Sequence, residues 1–165
     1  MAQKKEVYKE KIKQVGNWKY TDVYEMLFSW LKNSGYKVTE NDYTEKLQGN
    51  GKEILIKWTA SRKVTDYFKY QITLDWHILG MTDTEAEIGG RKTKTNKGEI
   101  AIEFKGNIIN DYEKRWENHQ FWKFLRGIYE NYIIRSSVDE YENDLEDDVR
   151  DIIKDFKAFL RIPSQ

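Results

Sequence analysis

The chain contains no cysteine and a single proline, Pro163, and its only histidines are His77 and His119. The missing thiols exclude disulfides, thiolate nucleophiles and cysteine-based zinc sites. Two imidazoles leave little room for a histidine-centred active site, and neither belongs to a His-Glu-x-x-His spacing. No apolar run approaches the length of a membrane span. Residues 1–13 are rich in Lys and Glu and carry no apolar stretch of the kind a secretory leader needs. The expectation is a cytoplasmic, soluble protein with no membrane span.

Charge of one sign is also missing. Basic and acidic side chains balance at 28 each, so no global field favours nucleic acid or an anionic membrane. The balance hides a split: residues 1–110 hold 19 of the basic and 15 of the acidic side chains. The remainder is therefore acidic, and two oppositely charged surfaces of one domain are the plainest reading. What the chain does have is aromatic rings, at 15% of residues with 6 Trp and 11 Tyr. Each buries a large area, so a few can build a core in a chain that is 34% charged. At 165 residues, one domain spanning 1–165 is the expected organisation.

The pattern centres on residues 67–79. Phe68, Tyr70, Ile72, Leu74, Trp76 and Ile78 alternate with Lys69, Gln71, Thr73, Asp75 and His77. Period two puts one apolar face on a core and one polar face outward, which predicts a long central strand of an antiparallel sheet. Before it, 22–33 reads as a helix capped by Thr21 or Asp22, with Gly35 suited to its C′ position. Tyr36 to Leu47 reads as an irregular strand with a bulge near Asn41-Asp42. Gly49-Asn50-Gly51 is a hairpin turn and Glu53 to Ser61 the next strand. Val64-Thr65-Asp66 turns into the central strand, which Gly80 and Thr82-Asp83 are expected to end.

A short separate hairpin about Gly89-Gly90, a turn at Asn96-Lys97-Gly98 and a last strand Glu99–Ile108 follow. Phe121, Leu125, Ile128 and Tyr132 then step at helical spacing. Val138 to Arg161 forms one long amphipathic helix through Leu145, Val149, Ile152 and Phe156. Residues 1–15 are read as an arm, flexible or loosely packed, that is helix, edge strand or tail. The fold class is α+β: a meander of five or six strands with one face covered by an N-terminal helix and two C-terminal helices.

Candidate chemistry is sparse. Asp75 and His77 share a strand face about 7 Å apart and could orient a general base, although an exposed polar patch explains them as well. His119 beside Glu117 and Asn118 suits a helix cap. The acidic run of Asp139–Asp151 lacks a metal-binding loop with a central glycine, so no metal and no cofactor is expected. Glu140, Asp144, Asp147 and Asp151 form either a solvated helix face or a docking surface for another protein. Arg91, Lys92, Lys94 and Lys97 in the hairpin, with Lys57, Lys69 and Lys105 in the polar phase of neighbouring strands, could track phosphates as a basic face or finger, while Glu99 and Glu103 oppose them. Trp58, Trp76, Phe104, Trp116 and Trp122 could line a pocket between sheet and helices, or pack solidly. A helix-grip domain offers an analogy in layers only, since that fold begins with a strand and ends on one helix.

Gly16-Asn17-Trp18-Lys19-Tyr20, Trp76 to Asp83 and Phe121 to Tyr129 resemble a family of small archaeal α+β proteins without an assigned activity. The likeness spans most of the chain and implies a single intracellular α+β domain. Three functions stay open: a non-enzymatic binding or protein-interaction domain, a carrier of a small apolar ligand, and nucleic-acid binding through the basic hairpin. An enzyme would use Asp75 and His77.

Overall fold

The computed structural model describes residues 3–110, Phe124 and 138–161. Among them lie five strands and two helices: β1 (Gln3–Trp18), α1 (Tyr20–Asn33), β2 (Lys37–Gln48), β3 (Gly51–Lys63), β4 (Phe68–Ile88), β5 (Arg91–Asn110) and α2 (Val138–Arg161). All neighbouring strands are antiparallel, in the order β1-β5-β4-β3-β2. Strands β2 to β5 are the expected meander, and β1 pairs outside it along β5. The expected cover of one N-terminal and two C-terminal helices is corrected here. The described residues hold two helices, and the first follows a strand. The helical pattern through Phe121–Ile133 lies outside the described residues.

The N-terminal arm is an edge strand. Its alternation is weak because Tyr8, Glu10, Ile12 and Gln14 are only half-buried, while Lys9, Lys11 and Lys13 are exposed. Such lysines also blunt an edge against pairing with another chain. Helix α1 then connects this edge strand to β2, the opposite edge of the sheet, and its first turns already face β2. Its 14 residues span about 21 Å.

Both helices lie on the same sheet face. The even residues Phe68 to Ile78 of β4 are buried there, with Ile54, Ile56 and Trp58 of β3 and Ile100, Ile102 and Phe104 of β5. Val23, Leu27 and Leu31 of α1 and Leu145, Val149, Ile152 and Phe156 of α2 cover them. Phe156 meets Phe104 at 5.5 Å between ring centroids. A Cβ on Gly106 would come within 2.8 Å of Val149, so this glycine lets α2 approach β5 closely rather than bending the strand.

The ends of α1 are set from afar. The helix starts one residue before the expected caps, at Tyr20, whose N–H donates to Asn96 Oδ1 of β5 at 2.9 Å. At its C-terminus Gly35 takes φ +88°. The Tyr36 N–H reaches the Leu31 carbonyl and the Gly35 N–H that of Lys32, the paired bonds of a Schellman motif.

The central strand does not stop at Gly80. Strands β4 and β5 stay paired from Phe68↔Asn110 to Ile88↔Arg91, and Asn96-Lys97-Gly98 is strand rather than turn. What breaks the alternation is a bulge: Leu79 faces Glu99 but Thr82 faces Lys97. Gly80 takes φ +62°, a left-handed conformation that glycine adopts without steric cost. Gly51 and Gly98 flank it on the neighbouring strands. A Cβ on either would lie 2.7 Å or 2.9 Å from the bulged backbone, so the crease needs glycine on both sides. Beyond it the β4–β5 hairpin continues as a largely exposed arm. The expected bulge in β2 is present too, between Glu40 and Asp42.

Candidate functional site

The long helix α2 joins the acidic and the apolar candidates. Its buried stripe fixes its rotation on the sheet, and that rotation sorts its carboxylates other than Asp139 into two groups. Glu142 pairs with Lys5 of β1 at 2.6 Å. Asp148 accepts from the buried Tyr36 hydroxyl at 2.7 Å and from Arg62 at 3.2 Å. Asp155 accepts from the Trp30 indole of α1 at 3.0 Å, and Glu146 pairs with Arg150 at 2.8 Å. These four tie α2 to the sheet, to α1 or to its own next turn.

Glu140, Asp144, Asp147 and Asp151 form the second group. All four are exposed, and none has an ion pair or hydrogen bond among the described residues. Their spacing of four, three and four residues puts them on one stripe of the helix. Of the basic residues of α2, Lys154 continues that stripe one turn beyond Asp151, whereas Arg150 and Lys157 turn towards β1. Arg150 sits 4.7 Å over the Tyr8 ring, and Lys157 reaches Glu10 of β1 at 3.4 Å.

Arg62 completes the internal network around Asp148. Its guanidinium lies 4.9 Å from the Tyr36 ring and 5.3 Å from the Tyr70 ring, and it donates to the Ser34 carbonyl at 2.8 Å. One cation thereby links β3, the end of α1 and α2. Burial, followed by the hydrogen bond to Asp148, pushes the Tyr36 hydroxyl well above the ordinary tyrosine range. Tyr70 is raised as well, first by burial.

The remaining candidates fall elsewhere. His77 takes Glu53 of β3 as its partner, Nε2 to Oε1 at 3.1 Å, while Asp75 stays exposed between Lys57 and Glu103. Sequence spacing pointed to Asp75 because Glu53 is distant along the chain; only the β3–β4 register brings it near. Both groups lie on the sheet face opposite the helices.

Trp58, Trp76 and Phe104 are buried on the helix-covered face. Trp58 and Trp76 are 5.0 Å apart between ring centroids. The Trp76 indole nitrogen has no hydrogen-bond partner among the described residues. Trp116 and Trp122 lie outside the described residues, as does His119. In the exposed arm, Lys92 faces Glu87 and Lys94 faces Glu85 across the hairpin. Arg91 and Lys97 sit at odd positions of β5 and Lys92 and Lys94 at even ones, so the basic set divides between two faces.

A site the sequence did not suggest lies between α1 and β2. Tyr20, Thr21, Tyr24 and Glu25 from the first turns of α1 face Glu40 and Tyr43 across an open cleft of about 250 Å³. Tyr24 meets Trp58 edge-on, with centroids 4.9 Å apart and planes at 85°. Glu40 Oε1 accepts from both the Tyr24 hydroxyl at 3.1 Å and the Trp58 indole at 3.2 Å. The spacing of Tyr20 and Tyr24, one helical turn, was the available signal. Their partners arrive only through β2.

Among the described residues no helix is long and apolar enough to cross a membrane, and no three His, Asp or Glu side chains are grouped to hold a metal ion. The arrangement is an α+β layer with a five-stranded antiparallel sheet. Comparison with known protein families, with curated proteins and with solved structures gave no match.

Proposed function

We propose that this chain is a non-enzymatic interaction domain whose α2 stripe docks a basic protein partner. The observation that carries the reading is the sorting of the α2 carboxylates: Glu142, Glu146, Asp148 and Asp155 have partners within the molecule, whereas Glu140, Asp144, Asp147 and Asp151 have none among the described residues and share one exposed stripe. Like charges one turn apart destabilise a helix by roughly 0.2–0.5 kcal/mol per pair. A basic surface laid along the stripe would turn that repulsion into attraction, and would steer the encounter at low salt.

The test is native mass spectrometry of the protein purified gently from its own cells, compared with a variant carrying Glu140→Lys, Asp144→Lys, Asp147→Lys and Asp151→Lys. The expected result is a protein-sized adduct on the native chain and its loss from the variant, with the circular dichroism of the two unchanged. The same adduct on both removes the docking face. A discrete small-molecule mass in place of a protein would instead favour a ligand carrier.

A further inference from the structure

We propose that the cleft between α1 and β2 binds a small organic cation, an alkylated ammonium group. Three tyrosine rings and two carboxylates meet there: Tyr20, Tyr24 and Tyr43 with Glu25 and Glu40, and no basic side chain lines the space. Aromatic faces carry negative quadrupole density and attract a cation lying over them. Tyr43 stands 44% exposed on β2, so its ring is accessible to a ligand in the cleft. Tyr20 and Tyr24 are 6.0 Å apart between centroids, and Trp58 backs Tyr24 from the core side.

The carboxylates supply the net charge. Glu40 engages one oxygen, Oε1, with the Tyr24 and Trp58 donors, leaving Oε2 without a hydrogen bond among the described residues. Glu25 is exposed and unpaired. Burial raises the hydroxyls of Tyr20, Tyr24 and Tyr43 above the ordinary tyrosine range, so the phenols stay neutral at physiological pH. Among the described residues the two glutamates are then the formal charges lining the cleft.

Size and chemistry select the ligand. At about 250 Å³ the cleft suits a head group rather than a larger ligand. A bare ammonium would give up strong hydration to ring faces that return few hydrogen bonds. An alkylated ammonium spreads its charge under an apolar shell and loses less. The group could belong to a free metabolite such as choline or to a trimethyl-lysine side chain; the chemistry recognised is the same.

The experiment is a calorimetric titration of the full chain with choline, with the neutral analogue in which carbon replaces the nitrogen, and with a short peptide bearing trimethyl-lysine. Saturable binding of choline or of the peptide, at least about tenfold tighter than the neutral analogue, is expected. Binding by choline identifies the free metabolite as sufficient, and binding by the peptide alone identifies the modified side chain. Tyr43→Ala and Glu25→Gln, both at exposed positions away from the core, should each weaken binding by roughly threefold to thirtyfold. No saturable binding of either cation overturns the proposal. So does equal binding of the neutral analogue, or full affinity in both variants.

Discussion

The β4–β5 hairpin is one continuous ladder with two different lives. From Phe68 to Leu79 and from Glu99 to Asn110 it forms the middle of the sheet, and Ile72, Leu74, Ile102 and Phe104 are fully buried beneath the helices. From Thr82 to Asn96 the same two strands stand mostly exposed, with Glu85 opposite Lys94 and Glu87 opposite Lys92. Backbone pairing is the same on both sides of the Gly80 bulge. The comparison teaches that a ladder of hydrogen bonds defines a strand but does not make a core. Helices placed over one face do that, and past the crease α1 touches the arm with its first turn, at Asn96. The arm instead rests on cross-strand pairs, whose individual contributions are small.

The largest effect should come from the buried half. Phe104→Ala removes a ring that packs on Phe156 and is expected to cost about 3–5 kcal/mol. Thr93→Ala in the exposed arm should stay within about 0.5 kcal/mol of the native chain. Urea denaturation of the two variants checks the contrast, and equal losses would mean that the arm is packed as tightly as the body.

An intermediate effect is expected at the crease. Gly98→Ala sets a Cβ 2.9 Å from the Leu79 carbonyl oxygen, against backbone that has little freedom to retreat. A loss of about 1–3 kcal/mol should follow, as for other overpacked sites. Amide exchange should quicken on both sides of Gly80 as the bulge shifts. An unchanged midpoint with unchanged exchange would show that the bulge relaxes freely.

The smallest effect belongs to the arm. Lys94→Glu puts a like charge directly opposite Glu85 and should cost roughly 0.2–1 kcal/mol, less at high salt. It should appear as faster amide exchange between Thr82 and Asn96, with the global melt barely moved. A global shift as large as that of Phe104→Ala would refute the division into body and arm.

Much of the fold was legible residue by residue. Phe68 to Ile78 alternate strictly, and the stripe through Leu145, Val149, Ile152 and Phe156 admits only a helix. The irregular pairing near Asn41 betrayed a bulge in β2. At Gly80 the same kind of signal misled. A bulge shifts the phase of a strand by one residue, so the even set gives way to Met81, Asp83 and Glu85, and the strand reads as ended. Strand β1 was obscure for a different reason: an edge strand half covered by α2 needs few apolar residues, and its lysines imitate a solvated tail. The candidate sites were less legible than the fold. The spacing of Glu140, Asp144, Asp147 and Asp151 was visible, but their isolation from Lys5, Arg62 and Arg150 was not.

By itself the sequence determined period and polarity: which residues face inward on β3, on the first half of β4 and on the two helices, where the turns at Gly49-Asn50 and Gly89-Gly90 fall, and how the charge divides. Those are local properties, set by the geometry of a strand or helix over a few residues. Only the tertiary structure decided who meets whom. It gave His77 to Glu53 instead of Asp75, capped α1 with Asn96, and divided the α2 carboxylates into partnered and unpartnered sets. It also closed Tyr20 and Tyr24 against Glu40 and Tyr43. Each of these depends on the strand order β1-β5-β4-β3-β2 and on two helices laid over one face of the sheet. Contacts between residues far apart in the chain follow from that packing and leave no periodic trace in the sequence.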